Sequence, residues 1–376
     1  MNKVLVVGAT GYVGGTVIAQ LLKSTAPSLQ HQIFDVVVRK DEHVLKLQQE
    51  YGNRVRVFKW PGLQDTAFIE ELAQDYDVIV NAGTGFHAPG AIAFVHGQSR
   101  RIHAGKPTPW MINLSGCTNL ATRPLTQPPV PLREWNDLED GAAIFDYMKE
   151  LNAREPYPQR TAEVGVLTAG AATGVQVVSV NAPVIFGNGA GLFNRQGTII
   201  PRVMNYALQH GYGFKLNETA NFDRVHVADL AQIFVILVRT ILKRPDRGVG
   251  FIPANEKGVL FSESGHVLIK DINQRCLDAL FEDGLLPKLG GPKEKEIRLV
   301  PLEEIADKLA LRINTIAERS WAGHKRTRSM VARKVLGWEP TRLQDDWEQE
   351  FKNELIALKD GKRIFTFAGV IGANAN

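Results

Sequence analysis

The sequence predicts an α/β protein in which a doubly wound parallel sheet carries a smaller C-terminal part. Short runs rich in valine and isoleucine alternate with segments of helical apolar spacing along the first half of the chain. This order is typical of a parallel sheet with helices on both faces. A glycine-rich segment also follows the first run directly. The 376 residues suffice for one large unit or for two domains that share a cleft.

The first apolar run covers residues 3–7 and is followed by the spacing Gly8-x-x-Gly11-x-x-Gly14. Gly8 permits a tight turn, Gly11 lets a pyrophosphate approach the backbone, and Gly14 allows the next helix to pack on the sheet. A helix over residues 12–23 would direct its free N–H groups at the phosphates. The competing interpretation is a tight turn without a ligand. The expected cofactor contacts here are Gly8, Thr10, Gly11, Tyr12, Val13 and Gly14.

The second buried strand, residues 33–38, ends at Arg39 and Lys40. An acidic side chain at this place suits the ribose hydroxyls of NAD, whereas a basic one suits the additional phosphate of NADP. Asp35 lies too early in the strand for the first role. We therefore expect NADP in preference to NAD, with Arg39 and Lys40 on its phosphate. The alternative is that Arg39 and Lys40 are simply the solvated end of the strand and bind no phosphate.

Three more strands are predicted over residues 55–58, 77–82 and 110–114, with helices that end near residue 74 and near residue 103 between them. Ligands of such sheets collect beyond the carboxyl ends of the strands, so Ala82 and Gly83 should border the cofactor. The fifth strand brings Ser115 to the same edge. A hydroxyl there suits carbonyl chemistry, and a plain turn residue is the alternative.

The middle of the chain contains a proline-rich stretch between Asn119 and Trp135. Proline excludes regular structure, so the stretch should be a loop, either over the site or as a passive excursion. Two tyrosines, Tyr147 and Tyr157, follow it. The remaining elements are predicted as a helix over 160–171, short strands over 175–180, 224–230 and 250–254, and helices over 267–282 and 345–359.

The domain boundaries follow from this order of elements. We expect a dinucleotide-binding domain over residues 1–190 that returns at about 220–255. A smaller substrate-binding part should cover residues 191–220 and 256–376. The basic residues 325–328, with Arg333 and Lys334, are interpreted as a solvated helix face.

Composition excludes several classes of protein. The 44 basic and 40 acidic residues give a net charge of +4, too balanced to indicate nucleic-acid binding. Two cysteines, Cys117 and Cys276, argue against a disulfide framework and for a reducing compartment. The first strand leaves no room for a cleavable signal, and the most apolar helix is too short for a bilayer. We expect a cytoplasmic protein with a small-molecule substrate, no metal, and neither nucleic acid nor membrane as partner; a homodimer is left open.

Several separated segments match one family. They are Asn81-Ala82-Gly83, Ser115-Gly116, Ala182-Pro183-Val184-Ile185-Phe186-Gly187, Arg224-Val225-His226-Val227-Ala228-Asp229-Leu230 and Leu336-Gly337-Trp338-x-Pro340. With the glycine turn, they make the chain resemble the extended and atypical short-chain dehydrogenases/reductases of the epimerase/dehydratase type. The resemblance implies a Rossmann fold and places Pro183 beside the cofactor. Pro158-x-Arg160 resembles a fungal branch linked to secondary metabolism.

The catalytic motif departs from this family. In active members a tyrosine exchanges a proton with the substrate oxygen, and a lysine four residues later lowers its pKa. Tyr157 matches the tyrosine, but Thr161 stands where lysine is expected. Threonine carries no positive charge, so Tyr157 should be a weaker acid-base group. Arg160 is turned about 100° away from the required helix face, and Tyr147 has Lys149 only two positions later.

The resemblance implies an NADP-dependent oxidoreductase that acts on a carbonyl or alcohol of a small molecule, with Ser115 and Tyr157 at the reacting oxygen. Two alternatives remain: a non-redox isomerase, epimerase or cyclase, and an NmrA-like regulator that senses NADP without catalysis. Three further residues are weighed. Cys117 is a reactive thiol or a buried small residue, His226 is interpreted as structural, and Arg195 contacts an anionic ligand or lies on the surface.

Overall fold

The computed structural model describes residues 2–83 and 85–361. Its strands are β1 (Val4–Val7), β2 (Phe34–Val38), β3 (Val55–Lys59), β4 (Val78–Asn81), β5 (Trp110–Gly116), β6 (Glu134–Asn136), β7 (Gln176–Ala182), β8 (Val184–Phe186), β9 (Gly213–Lys215), β10 (Asn221–His226), β11 (Val259–Phe261), β12 (Gly265–Leu268), β13 (Ile297–Leu299) and β14 (Arg326–Arg328).

The α-helices are α1 (Tyr12–Lys23), α2 (Pro27–Gln30), α3 (Asp41–Tyr51), α4 (Thr66–Ala73), α5 (Ala88–His103), α6 (Gly141–Arg154), α7 (Pro158–Thr173), α8 (Ile199–His210), α9 (Val227–Lys243), α10 (Ile269–Glu282), α11 (Leu302–Leu309), α12 (Asn314–Trp321) and α13 (Gln344–Lys359). Short 3-10 segments cover Gly52–Arg54, Cys117–Leu120 and Asn255–Lys257, and a π-helical turn covers Val331–Val335.

The central sheet has seven strands in the order β11-β7-β5-β4-β1-β2-β3. All neighbouring pairs in it are parallel. The chain order reverses between β1 and β4, and dinucleotides bind at such a switch point in doubly wound sheets. The predicted fold class, a doubly wound parallel α/β sheet of the Rossmann type, is therefore confirmed.

Alternate residues of the strands enter two cores. One core lies on the face covered by α1 and α9 and takes Val4 and Val6 of β1. The other takes Leu5 and Val7 and lies on the face of α4, α5 and α7. Successive side chains of a strand point to opposite faces, so a strand covered on both sides is apolar throughout.

A third core forms among α8, α10, α11, α12 and α13 and contains Trp321 and Trp347. The small sheets β12-β10-β8 and β13-β9 lie beside it. The strand β11 belongs to the central sheet, although it lies within the range 256–376 predicted for the smaller part. Residues 362–376 of that range lie outside the described residues.

The structure corrects several local predictions. The predicted strand over 224–230 ends at His226, where α9 follows, and the predicted helix over 267–282 begins only at Ile269, after β12. Residues 250–254 contain no strand, and the next strand is β11. The basic residues 326–328 form β14, which pairs with β6, and Lys325 before it is buried, so this segment is not a solvated helix face. The helix α3 was not predicted. The strand β5 continues through Ser115 and Gly116 because it pairs with β7 as far as Ala182.

Within residues 2–83 and 85–361, no helix is both long enough and apolar enough to cross a bilayer. In the same ranges, no group of three or more His, Cys, Asp and Glu side chains is arranged to hold a metal ion.

Candidate active site

The glycine turn packs directly against the end of β4. Gly8 has φ +87°, and a Cβ added to it would lie 2.4 Å from the carbonyl oxygen of Ala82. A Cβ on Gly14 would lie 2.3 Å from the carbonyl oxygen of Gly8. At Gly11 the nearest atom to such a Cβ would be that same oxygen, at 3.1 Å. Gly8 and Gly14 are therefore required by packing, whereas a Cβ on Gly11 would meet one tight contact and otherwise leave open space beside the backbone.

The helix α1 begins directly at this open space. Gly11 is its N-cap, and among the described residues no side chain caps it and no acidic residue lies in its first turn. The N–H groups of Tyr12, Val13 and Gly14 therefore lack intrahelical acceptors. Free N–H groups and a positive helix end suit an anion, so the residues present fit the pyrophosphate of a dinucleotide.

A loop between β8 and α8, residues 187–197, lies against this turn; we call it the crossing loop. The Ala190 N–H donates to Thr16 Oγ1 at 3.1 Å, and the Asn194 N–H donates to the Thr10 carbonyl at 3.4 Å. Tyr12 donates its hydroxyl proton to the Gly187 carbonyl at 2.5 Å. The crossing loop is therefore hydrogen-bonded to the glycine turn and to the first turns of α1, beside the expected pyrophosphate site.

The C-terminal helix α13 holds both ends of the crossing loop. Glu350 Oε1 accepts a hydrogen bond from the Gly187 N–H at 2.7 Å. Gln196 Nε2 donates to Glu354 Oε2 at 2.6 Å. Burial raises the pKa of Glu350, although its hydrogen bonds oppose this. The loop at the glycine turn is thus fastened by residues from the far end of the chain.

The end of β2 carries a basic cluster. Arg39 and Lys40 are exposed, and Lys40 Nζ lies 3.5 Å from the Glu42 carboxylate. Burial lowers the pKa of His43 from its ordinary value; Glu42 opposes this, and Lys40, Arg39 and Lys46 lower it further. His43 and Lys46 were missed by sequence reasoning because α3 was not predicted.

Asp35 has other partners. Arg56 donates two hydrogen bonds to its carboxylate, at 2.7 and 2.8 Å, and Tyr76 donates a third at 2.9 Å. The Asp35 carboxylate is therefore committed to β3 and to the segment before β4. Its place in mid-strand agrees with the expectation that it does not bind a ribose.

Ser115 lies in a buried polar network rather than at an open edge. It is 5% exposed; its Oγ donates to Glu163 Oε2 at 3.0 Å and accepts from Asn119 Nδ2 at 3.1 Å. Glu163 also accepts from Asn119 and Asn181. Burial raises the pKa of Glu163 against these hydrogen bonds. The structure does not bring Ser115 into contact with Tyr157.

Thr118 is the residue that meets Tyr157. The Tyr157 hydroxyl lies 3.3 Å from Thr118 Oγ1, and Thr118 Oγ1 donates to Gln159 Oε1 at 2.6 Å. Because the single Thr118 hydroxyl proton goes to Gln159, Tyr157 is the donor in the first bond. Tyr157 is 3% exposed, whereas Thr118 is half-buried, so Thr118 is the accessible end of this pair. Sequence reasoning missed both Thr118 and Gln159.

Two arginines lie beside the Tyr157 ring. The guanidinium carbon of Arg319 is 5.2 Å from the ring centroid and that of Arg160 is 5.9 Å away. Burial raises the pKa of Tyr157 above its ordinary value, and the Thr118 contact and the two arginines only partly oppose this. Thr161, in the place expected for lysine, donates to Asn152 Oδ1 at 2.9 Å. Tyr157 is therefore a neutral phenol at neutral pH.

Arg160 does not take the role of the missing lysine. Its guanidinium donates to the carbonyls of Asn119, Leu151 and Glu155, at 3.2, 3.2 and 2.6 Å. Burial lowers its pKa to about 10. Arg160 therefore ties α7 to the Cys117–Leu120 turn and stays charged at neutral pH.

The proline-rich loop has no regular structure from residue 121 to residue 133, as predicted. Glu318 of α12 holds it by accepting from the N–H groups of Leu125 and Thr126, at 2.7 and 2.9 Å, and from the Thr126 hydroxyl at 2.6 Å. Burial alone would raise the pKa of Glu318, but these bonds and that from Arg123 outweigh it and leave the pKa below its ordinary value.

A cavity of about 330 Å³ opens beside Tyr157. The Phe86 ring, which meets the Tyr157 ring edge-on at 6.2 Å, forms part of its wall. The other lining residues are His87, Ala88, Pro89, Pro156, Pro158 and Thr161. The cavity lies between the segment that follows β4 and the start of α7. Because its wall is mainly apolar, it can accept an uncharged organic molecule.

The remaining predicted residues lie as follows. Ala82 and Gly83 follow β4 and lie next to Gly8, and half-buried Pro183 separates β7 from β8. Burial raises the pKa of the Cys117 thiol well above its ordinary value, which makes it a poor nucleophile. His226 accepts from the Ala228 N–H and caps α9, and exposed Arg195 donates to the Gly189 carbonyl.

Comparisons with known proteins agree with this architecture. No family model matches the chain. It is 23% identical to Oxidase ucsJ from Acremonium sp over 349 residues, which cover 90% of this chain and 93% of that protein.

Solved structures match over nearly the whole chain. One is the dTDP-glucose 4,6-dehydratase DesIV from Streptomyces venezuelae with NAD bound, at TM-score 0.57 and 13% identity over 93% of this chain and 96% of that one. A second is UDP-glucose 4-epimerase from Thermotoga maritima, at TM-score 0.56 and 12% identity over 96% and 100%. A third is the yeast methylglyoxal/isovaleraldehyde reductase Gre2 with NADPH, at TM-score 0.53 and 13% identity over 96% and 100%. The chain therefore has the fold of the NAD(P)-dependent epimerases, dehydratases and reductases of the short-chain dehydrogenase/reductase type.

Proposed function

We propose that this protein is an NADPH-dependent reductase that converts a carbonyl group of a small organic molecule to an alcohol. The observation that carries the proposal is the Tyr157–Thr118 hydroxyl pair at the carboxyl edge of the sheet, beside an apolar cavity and along the same edge as the glycine turn. Tyr157 is protonated at neutral pH and can therefore be the source of the proton that carbonyl reduction requires.

The proposed reaction needs a hydride and a proton. A bound NADPH would supply the hydride to the carbonyl carbon. The carbonyl oxygen would replace Gln159 as the acceptor of the Thr118 hydroxyl proton. Thr118 gives this proton to the carbonyl oxygen and takes the proton of Tyr157 in exchange. The charges of Arg319 and Arg160 stabilise the phenolate that is left, until solvent returns a proton. Thr118 thus takes the role predicted for Ser115, and we propose that Ser115 fixes the Cys117–Leu120 turn through Glu163.

The proposal is tested by adding NADPH to the purified chain and following its fluorescence, then adding aldehydes and ketones and following NADPH absorbance. We expect saturable binding and carbonyl-dependent consumption of NADPH. Absence of NADPH binding at millimolar concentration would overturn it. Turnover without net NADPH consumption would indicate an isomerase or epimerase instead, and binding without any turnover would favour a regulatory protein.

The direction of the reaction gives a pH prediction. The pKa of Tyr157 lies above the ordinary value of about 10, so the phenol stays protonated from about pH 6 to about pH 9. We expect kcat for carbonyl reduction to show no loss from Tyr157 deprotonation over this range. The reverse reaction, alcohol oxidation, needs the phenolate and should be slower at neutral pH. A reduction rate that falls with a midpoint near pH 7 would contradict this assignment.

The choice of NADP is proposed to depend on Arg39. We expect Arg39→Ala to weaken NADPH binding about 10- to 100-fold, because a charge-assisted hydrogen bond to the extra phosphate contributes about 1.5–3 kcal/mol. Binding of NADH, which lacks that phosphate, should not change. Lys59→Ala serves as the control, since Lys59 is a basic residue at the end of the neighbouring strand and pairs with Asp41. Equal losses for NADPH and NADH would exclude Arg39 from phosphate recognition.

A further inference from the structure

We propose that a second cavity, between the proline-rich loop and β14, binds an organic anion with an aromatic or apolar body. Its volume is about 270 Å³, slightly below the range of about 300–1,000 Å³ usual for ligand pockets, which favours a small ligand. Four separate segments build its wall: the turn after β5, the proline-rich loop, α6 and the start of β14. We call it the ribbon cavity because the β6–β14 pair forms one side.

Aromatic rings form the apolar part of the ribbon cavity. The rings of Trp135 and Tyr147 lie with their centroids 4.9 Å apart, and Leu120 and Val130 add aliphatic surface. The guanidinium of Arg133 stacks on the Trp135 ring at 3.7 Å. A planar hydrophobic ligand can pack on such a surface while a cation stays within reach of its charged end.

The charged residues that line the ribbon cavity are all basic. Arg133, Lys325 and Arg326 contribute to the wall, and none of the described lining residues is acidic. Arg326 shares the single carboxylate of Glu134 with Arg328, at 3.0 and 3.3 Å. The Nε of Arg326 is buried and, within the described parts of the chain, has no hydrogen-bond partner. The Arg326 side chain is nevertheless 40% exposed, so a ligand carboxylate can share its guanidinium with Glu134.

Lys325 contributes to the wall but not directly to an anion. Its Nζ donates to the carbonyls of Arg319, Gly323 and Ser320 at 2.9, 3.1 and 3.3 Å. These three bonds hold the ammonium behind the wall, 4.1 Å from the Phe222 ring centroid. Arg326 is therefore the residue that would contact the anion most directly. Arg133 donates to Asp140 Oδ1 at 2.5 Å and contributes mainly its stacked contact with Trp135.

His324 adds a polar group to the same wall. Asn221 Nδ2 donates to His324 Nδ1 at 2.7 Å, so the ring proton of the neutral imidazole is on Nε2. The His324 N–H donates to Thr122 Oγ1 at 2.9 Å. This bond joins the residues just before β14 to the segment that follows Thr118. The segments of the cavity wall are therefore held together by hydrogen bonds.

The ribbon cavity is distinct from the cavity beside Tyr157. The two cavities share no lining residue. Within the Cys117–Leu120 turn, Thr118 contacts Tyr157, whereas Leu120 lines the ribbon cavity. An anion in the ribbon cavity should therefore bind together with NADPH rather than displace it.

The probe is 2-naphthoate, a planar aromatic carboxylate, with the uncharged 2-naphthylmethanol as its matched control. Calorimetric titration of the full chain should show that naphthoate binds at least ten-fold more tightly than the alcohol, with and without NADPH. Equal binding of the two compounds, no saturable naphthoate binding at millimolar concentration, or displacement of naphthoate by NADPH would overturn the proposal. None of these outcomes depends on whether the chain turns over a carbonyl compound.

Variants locate the binding. Arg326→Gln should weaken naphthoate binding at least ten-fold, whereas Arg328→Gln, which also removes a partner of Glu134 but lies outside the cavity wall, should leave it unchanged. Val130→Trp changes an exposed loop residue of the wall and should block the cavity without affecting the fold. Unchanged binding in Arg326→Gln and Val130→Trp would place naphthoate elsewhere and refute the site.

Discussion

Replacement of Tyr157 by phenylalanine is expected to lower kcat for carbonyl reduction roughly 10²- to 10⁴-fold, the usual range for loss of a positioned proton donor. The phenylalanine ring keeps the edge-on contact with Phe86 and the contact with Arg319, so the fold should be retained. Only the 3.3 Å hydroxyl contact with Thr118 is lost. NADPH affinity should therefore stay unchanged while kcat falls. A single-turnover measurement of NADPH oxidation would separate the chemical step from binding.

The partner and a second tyrosine provide the controls. Thr118→Val should impair turnover about as much as Tyr157→Phe, because residues that act as a unit do not contribute additively. Thr118→Ser, which keeps the hydroxyl, should restore it. Tyr147→Phe should have no effect, since Tyr147 packs on Trp135 in the ribbon cavity. If Tyr157→Phe turns over like the wild type, Tyr157 has no place in the mechanism.

Replacement of Gly14 by alanine and replacement of Gly11 by alanine are expected to have different effects on stability and on NADPH binding. In Gly14→Ala the new Cβ would lie 2.3 Å from the Gly8 carbonyl oxygen. The helix α1 must then move off the sheet, at a cost of about 1–3 kcal/mol for overpacking. Both the melting temperature and NADPH binding should fall. In Gly11→Ala the Cβ lies 3.1 Å from the same oxygen and otherwise enters the space where the pyrophosphate is expected. Stability should therefore fall less than in Gly14→Ala, while NADPH binding weakens more than ten-fold.

Thermal denaturation and NADPH titration of the same preparations distinguish these outcomes. Gly105→Ala is the control: Gly105 follows α5, has φ +66°, and no atom lies within 4 Å of the added Cβ. The Gly105→Ala variant should lose a little stability, because a residue with a Cβ is strained at positive φ, and should keep its NADPH affinity. Wild-type NADPH binding by Gly11→Ala would show that the pyrophosphate lies elsewhere.

The parts of the fold that were predictable from the sequence are those with local signals. The apolar run of β1, the glycine spacing after it and the pattern of α1 all lie within the first 23 residues, and α1 was predicted with the bounds that the structure has. Helix α3 lacked such a signal, since Leu47 is its one fully buried residue. Its basic residues were therefore found only in the structure.

The candidate site was harder to predict because it depends on pairing between distant segments. Ser115 was expected just beyond β5, but the Ser115–Asn181 and Gly116–Ala182 pairs extend the strand by two residues. That extension commits Ser115 to Glu163 and moves the first accessible hydroxyl to Thr118. The three carbonyls that bind the Lys325 ammonium come from nearby residues, Arg319, Ser320 and Gly323, but the side chains of these residues do not indicate where their carbonyls point.

The attachment of the crossing loop to α13 has a kinetic consequence. A nucleotide that leaves the glycine turn passes a segment whose two ends are held by Glu350 and Glu354, more than 330 positions later in the chain than Gly11. The residence time of the dinucleotide should therefore depend on how often the C-terminal helix detaches, even where equilibrium affinity is set by the turn itself. Stopped-flow exchange of NADPH would then report the integrity of the C-terminus, and Glu350→Gln should accelerate release with little change in the amount bound at saturation.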